Sequence, residues 1–138
     1  MNSIHFLGEW FDCRTSVEAL REPAAIRAIC VEHVMRHRVE ITHDFFTRSG
    51  RDGVAGALMT EDMHLIVRTF PECGAMNLDL YVGWDHHGDI AKTFQVLDGL
   101  RDDFKPRRTL LHRVQHGMGE HPSSRAPIAP TQVFAASH

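Results

Sequence analysis

Residues 53–85 read GVAGALMTEDMHLIVRTFPECGAMNLDLYVGWD, and the rest of the chain is organised around them. Apolar and polar residues alternate through three short runs, interrupted at Glu61-Asp62 and again from Pro71 to Gly74. In the second run Leu65, Val67 and Thr69 fall on one face, and His64, Ile66, Arg68 and Phe70 on the other. In the third, Met76, Leu78, Leu80 and Val82 oppose Asn77, Asp79 and Tyr81. A period of two predicts antiparallel strands with one covered face. The uncovered face would then carry His64, Arg68, Asp79 and Tyr81, and chemistry is expected there.

Working outward, residues 4–11 (IHFLGEWF) predict a first strand. Ser16 can open a short helical turn, and Pro23 suits the first position of a longer helix with an apolar stripe through Ile26, Ile29, Cys30, Val34 and His37. Residues 39–48 are β-branched and aromatic, which predicts a strand that turns back through Ser49 to Gly53. Beyond the central stretch, Asp89 can cap a helix whose Ile90, Phe94, Leu97, Leu100 and Phe104 recur at three and four. Pro106 ends it, and residues 109–114 predict a last strand. The order β-α-β-β-β-β-α-β argues for an α+β fold: a two-layer α/β sandwich, its antiparallel sheet covered on one face by two helices. Residues 1–117 read as one domain, and residues 118–138, with Pro122, Pro127 and Pro130 among small polar residues, as a flexible C-terminal tail.

The chain has 138 residues, of which 43% are apolar and 24% charged, enough for one ordinary globular core. A formal charge of −3 argues against nucleic-acid or membrane-surface partners. No run approaches the ~20 apolar residues of a membrane-spanning helix, and no basic-then-apolar leader stands at the start. Cys13, Cys30 and Cys73, odd in number and widely spaced, suit a reducing cytoplasm better than a disulfide framework. The eleven histidines include two pairs at four-residue spacing, His33/His37 and His112/His116. No cysteine or carboxylate completes either pair as a ligand set, so solvated histidines are expected and no metal.

The opening FLGEWFDC, the turn GVAG, the run EDMHLIVRTFPE and the following LDLYV together resemble the small prokaryotic S-adenosylmethionine decarboxylases. The most specific part is the succession Gly53-Val54-x-Gly56, a seven-residue gap, His64-x4-Thr69-Phe70-Pro71-Glu72, then Leu78-Asp79-Leu80-Tyr81. The resemblance covers about His5 to Val114. It implies a pyruvoyl enzyme of spermidine synthesis: an α/β sandwich that dimerises and builds active sites between protomers. In that family the serine of a Glu-Ser bond attacks the preceding carbonyl, and ester elimination leaves a pyruvoyl group as electron sink.

That chemistry is not expected here. The family's Glu-Ser-His falls at Asp62-Met63-His64, and a thioether has no nucleophilic oxygen. By the same resemblance, a small hydroxyl residue that assists processing falls at Ala55, a proton-handling histidine at Arg68, and a cysteine that reprotonates product at Gly83. Arginine does not titrate in proteins. Four losses beside retained Gly53, Gly56, His64, Thr69, Pro71, Glu72 and Asp79 imply a scaffold kept and a reaction abandoned.

The expectation is therefore a non-catalytic decarboxylase-like protein of polyamine biosynthesis. It would form a homodimer, or a heterodimer that regulates an active decarboxylase paralogue, or bind S-adenosylmethionine or a polyamine. No pyruvoyl or other cofactor is expected. Asp62, His64, Arg68, Phe70, Glu72, Asp79, Tyr81 and Trp84 are candidate ligand contacts, with Trp10 among the aromatic rings able to stack on an adenine or a sulfonium. The alternative is an enzyme of altered, non-pyruvoyl mechanism, in which His64, Asp62, Asp79 and Arg68 act on an amine or anionic substrate.

Overall fold

The computed structural model describes residues 2–84, 90–117 and 130–135. Its elements in chain order are β1 (Asn2–Phe11), α1 (Val17–Arg21), α2 (Pro23–Met35), β2 (His43–Ser49), β3 (Gly53–Met59), β4 (Met63–Phe70), a 3-10 turn (Pro71–Cys73), β5 (Ala75–Trp84), α3 (Ile90–Phe104), β6 (Arg108–Gly117) and β7 (Pro130–Ala135). The strands make one antiparallel seven-stranded sheet in the order β2-β3-β4-β5-β1-β6-β7. The predicted α+β two-layer sandwich is therefore the fold, with three helices rather than two.

Alternation decides which side chains are covered. Ile4, Phe6 and Trp10 of β1, Val54 and Leu58 of β3, Leu65 and Val67 of β4, and Met76, Leu78, Leu80 and Val82 of β5 are all buried on one face. Leu20, Ile26, Cys30, Val34, Val96, Leu100 and Phe104 of the helices pack against them. Burying a side chain of this size contributes about 1.5–3 kcal/mol, so this layer is the main driving force for the fold. Thr69 fastens the layers: the Val54 N–H donates to its Oγ1 (2.8 Å), and that hydroxyl donates to the Leu20 carbonyl (2.6 Å).

The local expectations are mostly met. Ser16 caps α1, its Oγ accepting from the Ala19 N–H at 3.1 Å, and Pro23 is the first residue of α2. Gly74, at φ 61°, ends the turn after β4. Gly53 and Gly56 are there for close approach: a Cβ on Gly53 would overlap the Thr69 carbonyl, and one on Gly56 the Phe46 ring.

Several expectations need correction. The strand expected over residues 39–48 begins only at His43. Arg38 leaves α2 at φ 58°, and Val39 and Ile41 tuck against the core instead of pairing. The buried stripe of α3 runs through Thr93, Val96, Leu100 and Phe104, not through Phe94 and Leu97, which are only partly covered. The expected Asp89 cap lies outside the described residues. The tail expected over 118–138 contains a strand, because Pro130–Ala135 pairs with β6. Thr131, Val133 and Phe134 favour extended backbone, and proline is tolerated where a strand begins. Trp10 is a core residue, 3% exposed and tilted against Phe104, and has no face free for a ligand.

His33 is the other correction. It is not solvated: it is 3% exposed, its Nε2 lies 2.5 Å from Asp103 Oδ2, and its ring lies over Gly99, where a Cβ would collide with it. It joins α2 to α3. Among the described residues, no helix is long and apolar enough to cross a membrane.

Candidate functional site

Strand register arranges the uncovered face in rungs. One rung runs His43, Met59, His64, Tyr81, His5 and Val114 across β2, β3, β4, β5, β1 and β6. The next runs Phe45, Ala57, Ile66, Asp79, Leu7 and His112, and the third Thr47, Ala55, Arg68, Asn77, Glu9 and Leu110. Cross-strand neighbours lie about 4.5–5.5 Å apart, so residues distant in sequence meet here.

The first two rungs converge on Asp79. Its Oδ1 is hydrogen-bonded by His5 Nε2 and lies 3.5 Å from His64 Nε2. Tyr81 stands between the two histidines, stacked on His64 (centroids 5.1 Å apart, planes 18° apart) and edge-on to His5 (5.7 Å). The His5, His64 and Asp79 side chains are each about one-third exposed. Beside them a groove of about 390 Å³ is lined by Leu7, Glu9, Ile66, Arg68, Asn77 and Asp79.

The predicted ligand set is divided by this geometry. His64, Asp79 and Tyr81 stand together. Arg68 is one rung further from them than Asp79, its Nη1 donating to Ser49 Oγ (3.2 Å). Phe70 and Glu72 line a separate hollow of about 290 Å³ at the β2–β3 turn, which Arg68 also borders. Asp62 is exposed on the β3–β4 turn, and Trp84 closes β5 at the edge of the described residues. His5 was missed. In sequence it is an isolated histidine in an aromatic run, and only the β1–β5 register brings it to Asp79.

The positions that the resemblance assigns to self-processing fall into two groups. Met63 is on the helix-facing side of β4, 7% exposed, and pairs with Val82; beside it the Gly83 N–H donates to the Asp62 carbonyl at 2.8 Å. Ala55 and Arg68 face each other across β3 and β4 on the uncovered side. Met63 and Arg68 are five positions apart, an odd offset, so their side chains point to opposite faces. The Met63 N–H donates to Thr60 Oγ1 (3.0 Å), and the Thr60 N–H to the Met63 carbonyl (2.8 Å), which closes the turn. Next to it lies a hollow of about 290 Å³ bordered by Arg38, Glu40, Glu61, Asp62, Met63 and Lys92. Where the resemblance would place the pyruvoyl-forming serine stands Met63, a buried thioether with no hydroxyl, which does not fit that group.

A helix-backed antiparallel sheet with its polar residues on the open face, and a tight turn at residues 60–63, defines a two-layer α/β sandwich with an open sheet face. The chain belongs to the S-adenosylmethionine decarboxylase family, whose model matches residues 4–117. It is 26% identical over 120 residues to an S-adenosylmethionine decarboxylase proenzyme of Pyrococcus furiosus, covering 87% of this chain and 82% of that one. A proenzyme of Acetivibrio thermocellus is 25% identical over 124 residues, covering 88% and 95%. In fold it is similar to the crystal structure of the adenosylmethionine decarboxylase of Aquifex aeolicus VF5, with a TM-score of 0.74 at 19% identity over 89% of this chain and 97% of that one.

Proposed function

We propose that this chain is a non-catalytic member of its family, acting in polyamine biosynthesis by pairing with a second chain of the same family and binding S-adenosylmethionine or a polyamine without turning it over. The observation that carries this reading is Met63. Self-cleavage needs a side-chain hydroxyl on the residue that follows the scissile carbonyl, and a thioether supplies none. Ala55, Arg68 and Gly83 support it, since each stands where the resemblance places a group of the processing or decarboxylation chemistry. The hollow beside Met63 supports ligand retention: Glu40, Glu61 and Asp62 offer carboxylates to a cationic amine or sulfonium.

Pairing is supported by the uncovered sheet face. Of the five large apolar side chains exposed among the described residues, Leu7, Phe45, Met59 and Phe70 stand on that face, while Met35 is on α2. An open sheet face that carries several exposed apolar side chains suits an interaction surface. The partner is a second copy or an active decarboxylase chain.

Intact-mass spectrometry tests the reading directly. The expected result is one species near 15.7 kDa. Two fragments breaking between Asp62 and Met63 would sink it. A second reading, an enzyme of altered mechanism, is favoured by the His5–Asp79–His64 cluster beside the groove. Carbon dioxide release from carboxyl-labelled S-adenosylmethionine by the uncleaved protein would select that reading instead.

A further inference from the structure

We infer that His5, His64 and Asp79 form a binding site for a divalent transition-metal ion of the zinc class, on the uncovered face of the sheet. This goes beyond the proposed function and does not depend on whether the chain self-cleaves.

The site is assembled by register. β1 contributes His5, β4 contributes His64 and β5 contributes Asp79, three strands that are adjacent in the order β4-β5-β1. One ligand atom from each residue, a ring nitrogen of each histidine and a carboxylate oxygen, lies within 4.8 Å of the other two. A tetrahedral zinc ion bound at about 2.0–2.1 Å holds its donors a little over 3 Å apart. The 3.5 Å between His64 Nε2 and Asp79 Oδ1 matches that spacing, and small side-chain movements bring His5 to it.

The donor set decides the ion. Two imidazole nitrogens and one carboxylate oxygen suit zinc, cobalt or nickel, whereas magnesium and calcium favour all-oxygen shells. Strands hold such a set more firmly than loops do. Tyr81 adds to this by fixing both rings, one by stacking and one edge-on. Because the three side chains are about one-third exposed, an ion can enter from solvent. Three protein ligands leave a coordination position open, and Asp79 borders the groove that would supply a water or an amine or carboxylate donor.

The test is a cobalt titration of chelator-treated, tag-free protein. The expected result is one ion per chain with an intense visible ligand-field band, displaced by zinc. His64→Ala and Asp79→Asn should each weaken binding by roughly tenfold or more and remove the band. His43→Ala, on the same rung but two strands from His64, and His116→Ala should change neither. Far-UV circular dichroism of each variant checks that the fold survives. Should a variant unfold, long-range proton–nitrogen spectra of the unaltered protein take its place. There, zinc should shift the Nε2 resonances of His5 and His64 and leave those of His112 and His116 in place. No stoichiometric band, binding that survives both ligand substitutions, or zinc shifts confined to other histidines would overturn the site.

Discussion

At the scale of single residues, the motif that carries the family likeness divides into parts that hold the fold and parts that do the family's chemistry. Gly53, Gly56 and Thr69 are tied to close backbone approach, to the Phe46 ring and to the Leu20 carbonyl. Gly56→Ala should therefore cost about 1–3 kcal/mol in urea unfolding, because the whole Phe46 ring must move to admit a methyl group. The buried thiol of Cys30 gives a pH signature. Burial pushes it up to about 12, while an exposed thiol ionises near 9. Between these values the folded state keeps a proton that the unfolded state loses. Stability is thus fully present below about pH 9 and falls as pH rises towards 12. Unfolding midpoints measured across that range should decline, and Cys30→Ala, though less stable at neutral pH, should decline less steeply.

Secondary-structure elements were legible where their period was clean. The three runs of residues 53–85 became β3, β4 and β5, the last two with the predicted faces, since each strand is covered on one side only. Residues 39–42 misled because Val39 and Ile41 carry strand-forming side chains yet are used as core plugs after α2. The histidines of α2 misled in another way. Spacing places His33 and His37 on one face, but only packing shows that His33 is enclosed between Gly99 and Asp103. His33→Ala should cost about 1–3 kcal/mol by opening a cavity and leaving Asp103 without its partner, whereas His37→Ala, a less buried position, should be near neutral. Parallel urea titrations of the two variants decide this.

For the whole molecule, the open sheet face is where most of the functional expectations meet. On the proposed pairing, the unaltered protein should sediment as a dimer at micromolar concentration and Phe45→Lys as a monomer, with circular dichroism unchanged. Met63→Ser should leave carbon dioxide release at background: the hydroxyl would return on the helix side of β4, but residue 68 would still offer a guanidinium and no imidazole, and Gly83 no thiol. Robust release from that variant would mean that other residues supply the chemistry. The sequence predicted which face is open and that Asp79, Tyr81 and His64 share it. It did not predict the convergence with His5, because the order of strands in a sheet is set by tertiary pairing and leaves no mark in local spacing. That same order has a kinetic consequence. β1 lies between β5 and β6 and precedes both in the chain, its partners being residues 75–84 and 108–117. During synthesis it waits unpaired until β5 has left the ribosome, and it is flanked on both sides only after β6 has followed. Such non-local closure slows folding relative to folds built from local contacts. Until then Ile4, Phe6 and Trp10 remain uncovered, which makes β1 a segment for a chaperone that holds nascent apolar chain.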